Sequence, residues 1–184
     1  MSFVPTDMPQ RIFLDSSTLQ TLQNYGGFLY ENEPIFENDP IHRDQDGIAK
    51  LEALQSVMQI AERAPFEFAL SENSFIEVER RGDRAYLQWA YDVLDHWRTC
   101  VEESGIPKCS QTALKCLDSG ALGYLGNGDR ALLRDAVMLG CDTFLTMENK
   151  LPKNSNHLRQ SLGIFVESPC GVWARLSPRA TLFR

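Results

Sequence analysis

A chain of 184 residues with 43% hydrophobic content is long enough for a domain with its own core, and we predict a single domain over 1–184. No apolar run approaches the roughly 20 residues that span a bilayer, and the N-terminus lacks an apolar signal segment, so we expect a cytoplasmic protein with no membrane contact. The formal net charge of −7 argues against nucleic-acid binding by bulk attraction, so such binding would depend on local basic patches or a bound metal.

The first half of the chain predicts two strands and several helices. Residues 11–15 form an apolar run ending in an acid, which is typical of a buried strand. A helix fragment and a loop are expected over 20–45, and apolar residues at helical spacing predict a helix over 47–63. The periodic residues are Ile48, Leu51, Leu54, Met58 and Ala61. A second strand is predicted at 66–70, and Ser71 is a candidate N-cap for the next helix.

The second half alternates helices with two further strands. A strongly amphipathic helix is predicted over 83–100, with Trp89 and Trp97 on one face. The remaining predicted elements are helices at 111–117 and 129–139, a strand at 141–146, a polar loop at 147–157, a strand at 162–168 and a short helix from Pro169. Strands that alternate with helices predict an α/β fold with a parallel sheet.

Oxygen-bearing side chains follow two of the predicted strands directly. Asp15 ends the first strand, and Thr146 and Glu148 follow the strand that ends at Leu145. Ligands of open parallel sheets bind beyond the carboxyl ends of the strands, so these groups are expected at one edge. An acid at a strand end can also simply cap the next helix, but two strand ends that deliver oxygen groups favour a functional site.

Two further acids lie on predicted helices. Asp129 falls in the first turn of its helix, where the helix dipole alone would favour an acid. It also begins the apolar stripe of Leu132, Leu133 and Ala136, so it is expected to face the sheet, where a carboxylate needs a partner or a metal. Glu77 is either a site residue or a solvated helix acid.

Several converging carboxylates would repel one another unless a cation lay between them. Hard oxygen ligands select Mg²⁺ or Mn²⁺. The three histidines show no ligand spacing and are expected at the surface, and the five cysteines form no C-x-x-C pair. The pattern therefore predicts metal-dependent hydrolysis of phosphodiester bonds, in which the metal activates water and neutralises developing charge.

The order of these motifs resembles that of PIN domains. The resemblance is carried by I-F-L-D-S-S, by S-x-x-E at Ser74–Glu77, by the helix containing D-R-A-L-L-R-D-A-V-M-L-G-C-D, by F-L-T-M-E and by L-G-I-F-V-E-S-P. It covers most of the chain except a helical insertion at about 83–116. It implies a three-layer α/β fold with a small, mainly parallel sheet flanked by helices.

The resemblance also implies an activity and a ligand set. PIN domains are Mg²⁺- or Mn²⁺-dependent ribonucleases, and the family includes the toxins of toxin–antitoxin pairs. The metal-binding acids would be Asp15, Glu77, Asp129 and Glu148, the last a departure from the Asp or Asn usual there. Ser16 and Thr146 would position water or phosphate. An RNA substrate, a cognate antitoxin and a homodimer are the implied partners.

RNA binding requires positive contacts near the acids. The candidates are Arg80, Arg81, Lys150 and Lys153, which flank Glu77 and Glu148 in the sequence. Charge clusters of this kind more often form a solvated surface. Asp142, at the start of its strand, is expected to be structural, and Asp135 is a weaker candidate for the third acid.

Three other functions stay open at this point. A haloacid-dehalogenase-like phosphatase also begins with a strand ending in Asp, but its D-x-D motif would need an acid at Ser17. A D-x-S-x-S metal-dependent binding module would need a hydroxyl at Leu19. A PIN-like fold without activity would act only through protein contacts.

Overall fold

The computed structural model has a four-stranded sheet in the order β2-β1-β3-β4, and every neighbouring pair is parallel. It describes residues 8–44, 46–81, 84–105 and 109–183, except for the side chains of Glu77, Val78, Arg81 and Tyr86. The strands are β1 (Arg11–Leu14), β2 (Glu67–Ala69), β3 (Thr143–Leu145) and β4 (Phe165–Glu167). The predicted α/β class with a parallel sheet is confirmed, and all four strands are shorter than their predicted ranges.

Helices fill the connections between the strands. The α-helices are α1 (Ser16–Asn24), α2 (Gly26–Glu31), α3 (Gly47–Ala61), α4 (Ile76–Arg81), α5 (Arg84–Ser104), α6 (Gln111–Asp118), α7 (Asn127–Met138), α8 (Ser155–Leu162) and α9 (Pro169–Leu176). Short 3-10 turns lie at Pro40–Arg43, Glu72–Phe75, Leu151–Asn154 and Ser177–Phe183.

The sheet separates two hydrophobic cores, which gives the fold its three layers. Side chains of a strand alternate between its faces. Ile12 and Leu14 of β1 therefore belong to one core, with α1, α3 and α9, while Phe13 belongs to the other, with α7 and α8. The ring of Phe13 stacks on that of Phe144 in β3, with centroids 5.4 Å apart. Because both faces are covered, the central residues of the strands, such as Ile12, Phe13, Phe144 and Val166, are apolar and fully buried.

Two sequence predictions of local structure were wrong. The predicted polar loop 147–157 contains the 3-10 turn Leu151–Asn154 and the first residues of α8. Its helix is held by Leu158 and Leu162, which are buried in the second core. The predicted fragment over 20–45 also began too late, since α1 starts at Ser16.

The buried face of α3 is rotated from the predicted one. Ile48, Met58 and Ala61 are only partly buried, whereas Lys50 and Val57 are buried. The amphipathic helix was predicted correctly, and Trp89 and Trp97 of α5 pack partly buried against the first core. The three histidines are exposed, as expected. Within the described ranges, no helix is both long and apolar enough to cross a membrane.

Candidate active site

The chain reverses its direction of winding at the centre of the sheet. From β1 it crosses to β2 on one side, and it later returns to β3 on the other side of β1. The connections that follow β1 and β3 therefore diverge, and a crevice opens between them at the carboxyl ends of the strands. Asp15 comes directly after β1, and Thr146 comes directly after β3. The two strand ends are also joined, because the Asp15 N–H donates to the Leu145 carbonyl at 3.2 Å.

Asp15 is held by several hydrogen bonds in a buried position. It is the N-cap of α1, and its Oδ1 accepts the Thr18 N–H at 2.8 Å. Its Oδ2 accepts the Thr146 hydroxyl at 2.5 Å, and the Ser17 hydroxyl lies within 2.9 Å of both carboxylate oxygens. The side chain is therefore fixed in one orientation before any ligand arrives.

Burial raises the pKa of Asp15 above its ordinary value. Loss of solvent is the largest influence, and it outweighs the hydrogen bonds from Thr146, Thr18 and Ser17, which lower the pKa. A carboxylate in this condition is stabilised by a nearby positive charge. A cation bound next to Asp15 would therefore stabilise its ionised form, which burial disfavours.

The Thr146 hydroxyl connects Asp15 to the loop that carries Glu148. Besides donating to Asp15, the Thr146 oxygen accepts the Glu148 N–H at 3.0 Å. The Met147 N–H donates to the Ser17 hydroxyl oxygen at 3.1 Å. Thr146 is fully buried, so its contact is with the Asp15 carboxylate. Any effect of Thr146 on a ligand therefore passes through Asp15 or through the backbone of Glu148.

A cavity of about 400 Å³ lies against this edge of the sheet. Its polar and charged lining comes from four different segments, the ends of β1 and β3, the Glu72–Phe75 turn with α4, and the start of α7. These lining residues are Asp15, Ser16, Asn73, Arg80, Asn127, Asp129 and Glu148. Three of the four predicted acids, the predicted Ser16 and one of the predicted arginines thus face one space.

Asp129 is brought to the cavity by α7. It lies in the first turn of that helix, partly buried, and its Oδ2 is close to Gly126, the N-cap residue. Leu133 and Ala136, one face of the same helix, are fully buried in the second core. The predicted inward stripe is confirmed, and it fixes the rotation of α7.

The opposite wall is tied to α7 by a side-chain hydrogen bond. Asn73 of the Glu72–Phe75 turn donates to the Asp135 carboxylate at 2.8 Å. Asp135 therefore has a structural contact, and it does not line the cavity. The Ser74 hydroxyl, fully buried, lies 3.5 Å from the Leu14 carbonyl at the end of β1. These contacts set the start of α4 beside Asp15.

The other predicted site residues lie in several places. Glu77 and Arg81 belong to α4, each next in sequence to a residue that lines the cavity, Ile76 and Arg80 respectively. The side chains of Glu77 and Arg81 lie outside the described part of the structure. Lys150 is exposed before the Leu151–Asn154 turn. Lys153 lines a separate cavity of about 470 Å³. Asp142 accepts the Gln10 N–H at 2.7 Å at the opposite end of β3, which agrees with a structural role.

The described acids do not by themselves form a tight ligand cluster. Among the side chains that the structure describes, no three from histidine, cysteine, aspartate and glutamate are grouped closely enough to hold one metal ion. Glu77 is outside that comparison. The donors that do line the cavity are all oxygens, which is the set that Mg²⁺ and Mn²⁺ prefer.

Sequence reasoning missed Ser17, Asn73 and Asn127. Ser17, rather than its neighbour Ser16, contacts Asp15 and the Met147 N–H. Had α1 been predicted to start directly after Asp15, the capping geometry would have placed Ser17 and Thr18 beside the carboxylate. Asn73 carries no sequence signal apart from its place after a strand.

No protein-family model matches the chain, and no curated protein or solved structure matches it either. The function of the cavity is therefore inferred from the residues that line it.

Proposed function

We propose that this protein is a Mg²⁺- or Mn²⁺-dependent ribonuclease of the PIN-domain kind, which hydrolyses phosphodiester bonds in the cavity at the carboxyl ends of β1 and β3. One observation supports this above all others. Asp15, Asp129 and Glu148, which are far apart in the sequence, line the same cavity together with Arg80. Carboxylates that can bind a divalent cation beside a guanidinium that can bind a phosphate form a combination suited to metal-dependent phosphodiester hydrolysis.

The metal would be held by Asp15, Asp129 and Glu148, with Glu77 from the adjoining helix α4. These side chains suit Mg²⁺ or Mn²⁺ because every metal ligand would be a carboxylate oxygen. In addition, burial raises the pKa of Asp15, and a bound cation would lower it. When bound, the ion would supply charge neutralisation at the phosphate and activate a water molecule.

The residues of the chain prepare the cavity for this reaction. Three hydrogen-bond donors fix Asp15, so no conformational freedom is lost there when a ligand binds. Arg80 is exposed at the cavity, where its guanidinium can bind a phosphate oxygen of a single-stranded RNA. Ser16 borders the same space and offers a hydroxyl donor to that phosphate.

The local charge at the cavity also accounts for RNA binding by an acidic protein. With a net charge of −7 the chain as a whole repels a polyanion. A divalent cation among the acids together with Arg80 would add three positive charges and so offset most of the negative charge at the one place where the phosphate binds. The toxin role, an antitoxin partner and a homodimer stay predictions of the family resemblance.

The test is cleavage of a fluorescently labelled single-stranded RNA by the purified protein with Mn²⁺, with Mg²⁺ and with EDTA. We expect cleavage only with the metal ions, and a loss of about 100-fold or more in Asp15→Asn. Asp118→Asn, which changes an exposed acid paired with Arg134, is the matched control and should keep full activity.

Cleavage that survives EDTA or Asp15→Asn would exclude this mechanism. Hydrolysis of p-nitrophenyl phosphate through a phosphorylated Asp15 would identify a phosphatase instead. Metal-dependent retention of labelled RNA without turnover would leave a binding protein. Circular dichroism of each variant establishes that the fold is retained.

A further inference from the structure

Lys50 of α3 is a buried lysine that contacts the loop carrying Glu148. Only 2% of its surface is exposed. Its Nζ donates to the Met147 carbonyl at 3.0 Å and to the Asp44 carboxylate at 2.9 Å. Met147 lies between Thr146 and Glu148, so this ammonium group binds the centre of the loop that follows β3, residues 146–149, which we call the β3 loop.

The buried charge of Lys50 is unfavourable by itself and is stabilised by an ion pair with Asp44. An ammonium group removed from water must be paired, because an isolated buried charge is strongly unfavourable. Asp44 supplies the opposite charge, and its hydrogen bond from Lys50 is the main reason why the pKa of Asp44 is lowered. Asp44 also accepts the Asn149 side-chain N–H at 3.4 Å, so both members of the pair contact the same loop.

The β3 loop is therefore held from two sides. On the side of the cavity, Met147 donates to Ser17, and Glu148 donates to Thr146, which in turn donates to Asp15. On the far side, the Lys50 ammonium binds the Met147 carbonyl. The Met147 N–H and the Met147 carbonyl belong to the two peptide units on either side of its Cα, and each of these units is held by a hydrogen bond. The direction in which Glu148 leaves the backbone is therefore set.

We infer that Lys50 is a positioning residue of the site: by binding the Met147 carbonyl, and with Asp44 as its counterion, it fixes the loop that presents Glu148 to the cavity and Thr146 to Asp15. The role of Glu148 as a metal ligand rests on the proposed nuclease function. The contact between Lys50 and the Met147 carbonyl does not depend on that function. Lys50 touches neither the cavity of Asp15 nor a substrate group there.

The experiment compares Lys50→Met with Lys50→Arg in the full-length protein. Methionine fills a similar volume without the charge, and arginine keeps a donor for the Met147 carbonyl. Lys115→Met, the same change at an exposed lysine of α6, is the matched control. Amide hydrogen exchange followed by peptide mass analysis reports the protection of residues 146–149, with the buried helix segment around Leu133 as the internal reference.

In Lys50→Met we expect faster exchange over 146–149 by on the order of tenfold, unchanged exchange around Leu133, and a kcat reduced by on the order of 10- to 100-fold with little change in KM for RNA. Lys50→Arg should recover part of both losses, and Lys115→Met should match the parent protein. Unchanged exchange over 146–149 in a folded Lys50→Met would overturn the positioning role.

Two further results separate this inference from the nuclease proposal. If the parent protein does not cleave RNA, the nuclease proposal fails, and the exchange data still decide whether Lys50 holds the loop. If Lys50→Met does not fold, Asp44→Asn replaces it, because Asp44 is only partly buried. Asp44→Asn should loosen residues 146–149 to a smaller extent, and exchange identical to that of the parent protein would overturn the inference.

Discussion

Replacing Thr146 with valine tests the hydrogen-bond network around Asp15 through the free energy of unfolding. Valine has nearly the same shape but lacks the hydroxyl that donates to Asp15 Oδ2 and accepts the Glu148 N–H. Thr146 is fully buried, so no water replaces the hydroxyl. A hydrogen bond to a charged group contributes about 1.5–3 kcal/mol, which sets the expected loss. For a protein of this size, that corresponds to a Tm lower by about 4–10 °C.

The loss should depend on pH in one direction. Burial raises the pKa of Asp15, so the ionised form is disfavoured in the folded state, and removal of the Thr146 donor raises that pKa further. The difference between parent and variant is therefore largest above the folded-state pKa, where Asp15 is ionised in both. It declines as the pH falls through that pKa, because a protonated carboxyl group is held less strongly by the hydroxyl.

Urea denaturation followed by tryptophan fluorescence, repeated between pH 4 and pH 8, measures both quantities. Thr112→Val, at an exposed position of α6, is the matched control and should change the free energy of unfolding by less than about 0.5 kcal/mol. A Thr146→Val protein as stable as that control, or a loss independent of pH, would refute the account of Asp15 given above.

Three further predictions concern other parts of the molecule. Arg11→Met should cost about 3–5 kcal/mol in urea denaturation because Glu67 is left without its buried partner, and adding Glu67→Leu should recover only part of it, because the Leu139 and Gly105 carbonyls still lack the Arg11 donors. Arg80→Ala should weaken binding of single-stranded RNA and lower the slope of log affinity against log salt by about 0.7, the value for one phosphate contact; an unchanged slope would remove Arg80 from the substrate site. Burial raises the pKa of the Cys141 thiol, so iodoacetamide at pH 8 should label Cys141 at least about tenfold more slowly than the less buried Cys100, as mass mapping of peptides would show; equal labelling would contradict the burial.

The positions of Asp15 and Thr146 could be predicted from the sequence because each follows an apolar run that marks a buried strand. An apolar run that stops at an acid marks both the strand and the point where it leaves the sheet. Parallel strands bring such points to one edge whatever lies between them. The placement of Asp129 followed from the same kind of pattern, since the spacing of Leu132, Leu133 and Ala136 fixes the inward face of the helix.

Other features could not be predicted because tertiary contacts determine them. Helix α8 begins with Ser155 and Asn156, residues common in loops, and it forms because Leu158 and Leu162 are buried against the second core. The sequence contains no sign that Lys50 is buried, because lysine is ordinarily exposed. It lies three residues after Gly47 and four before Leu54, on the buried face of α3, and only the presence of Asp44 and the Met147 carbonyl makes that position favourable.

The pairing of β1 with β3 also has a consequence for biosynthesis. Asp15 leaves the ribosome early, but its partner Thr146 and the acids Asp129 and Glu148 follow more than a hundred residues later. A nascent chain that ends before β3 has neither the central strand pairing nor a complete cavity. If the proposed nuclease function holds, a protein assembled in this order would be inert throughout most of its own translation, when messenger and ribosomal RNA are its nearest neighbours.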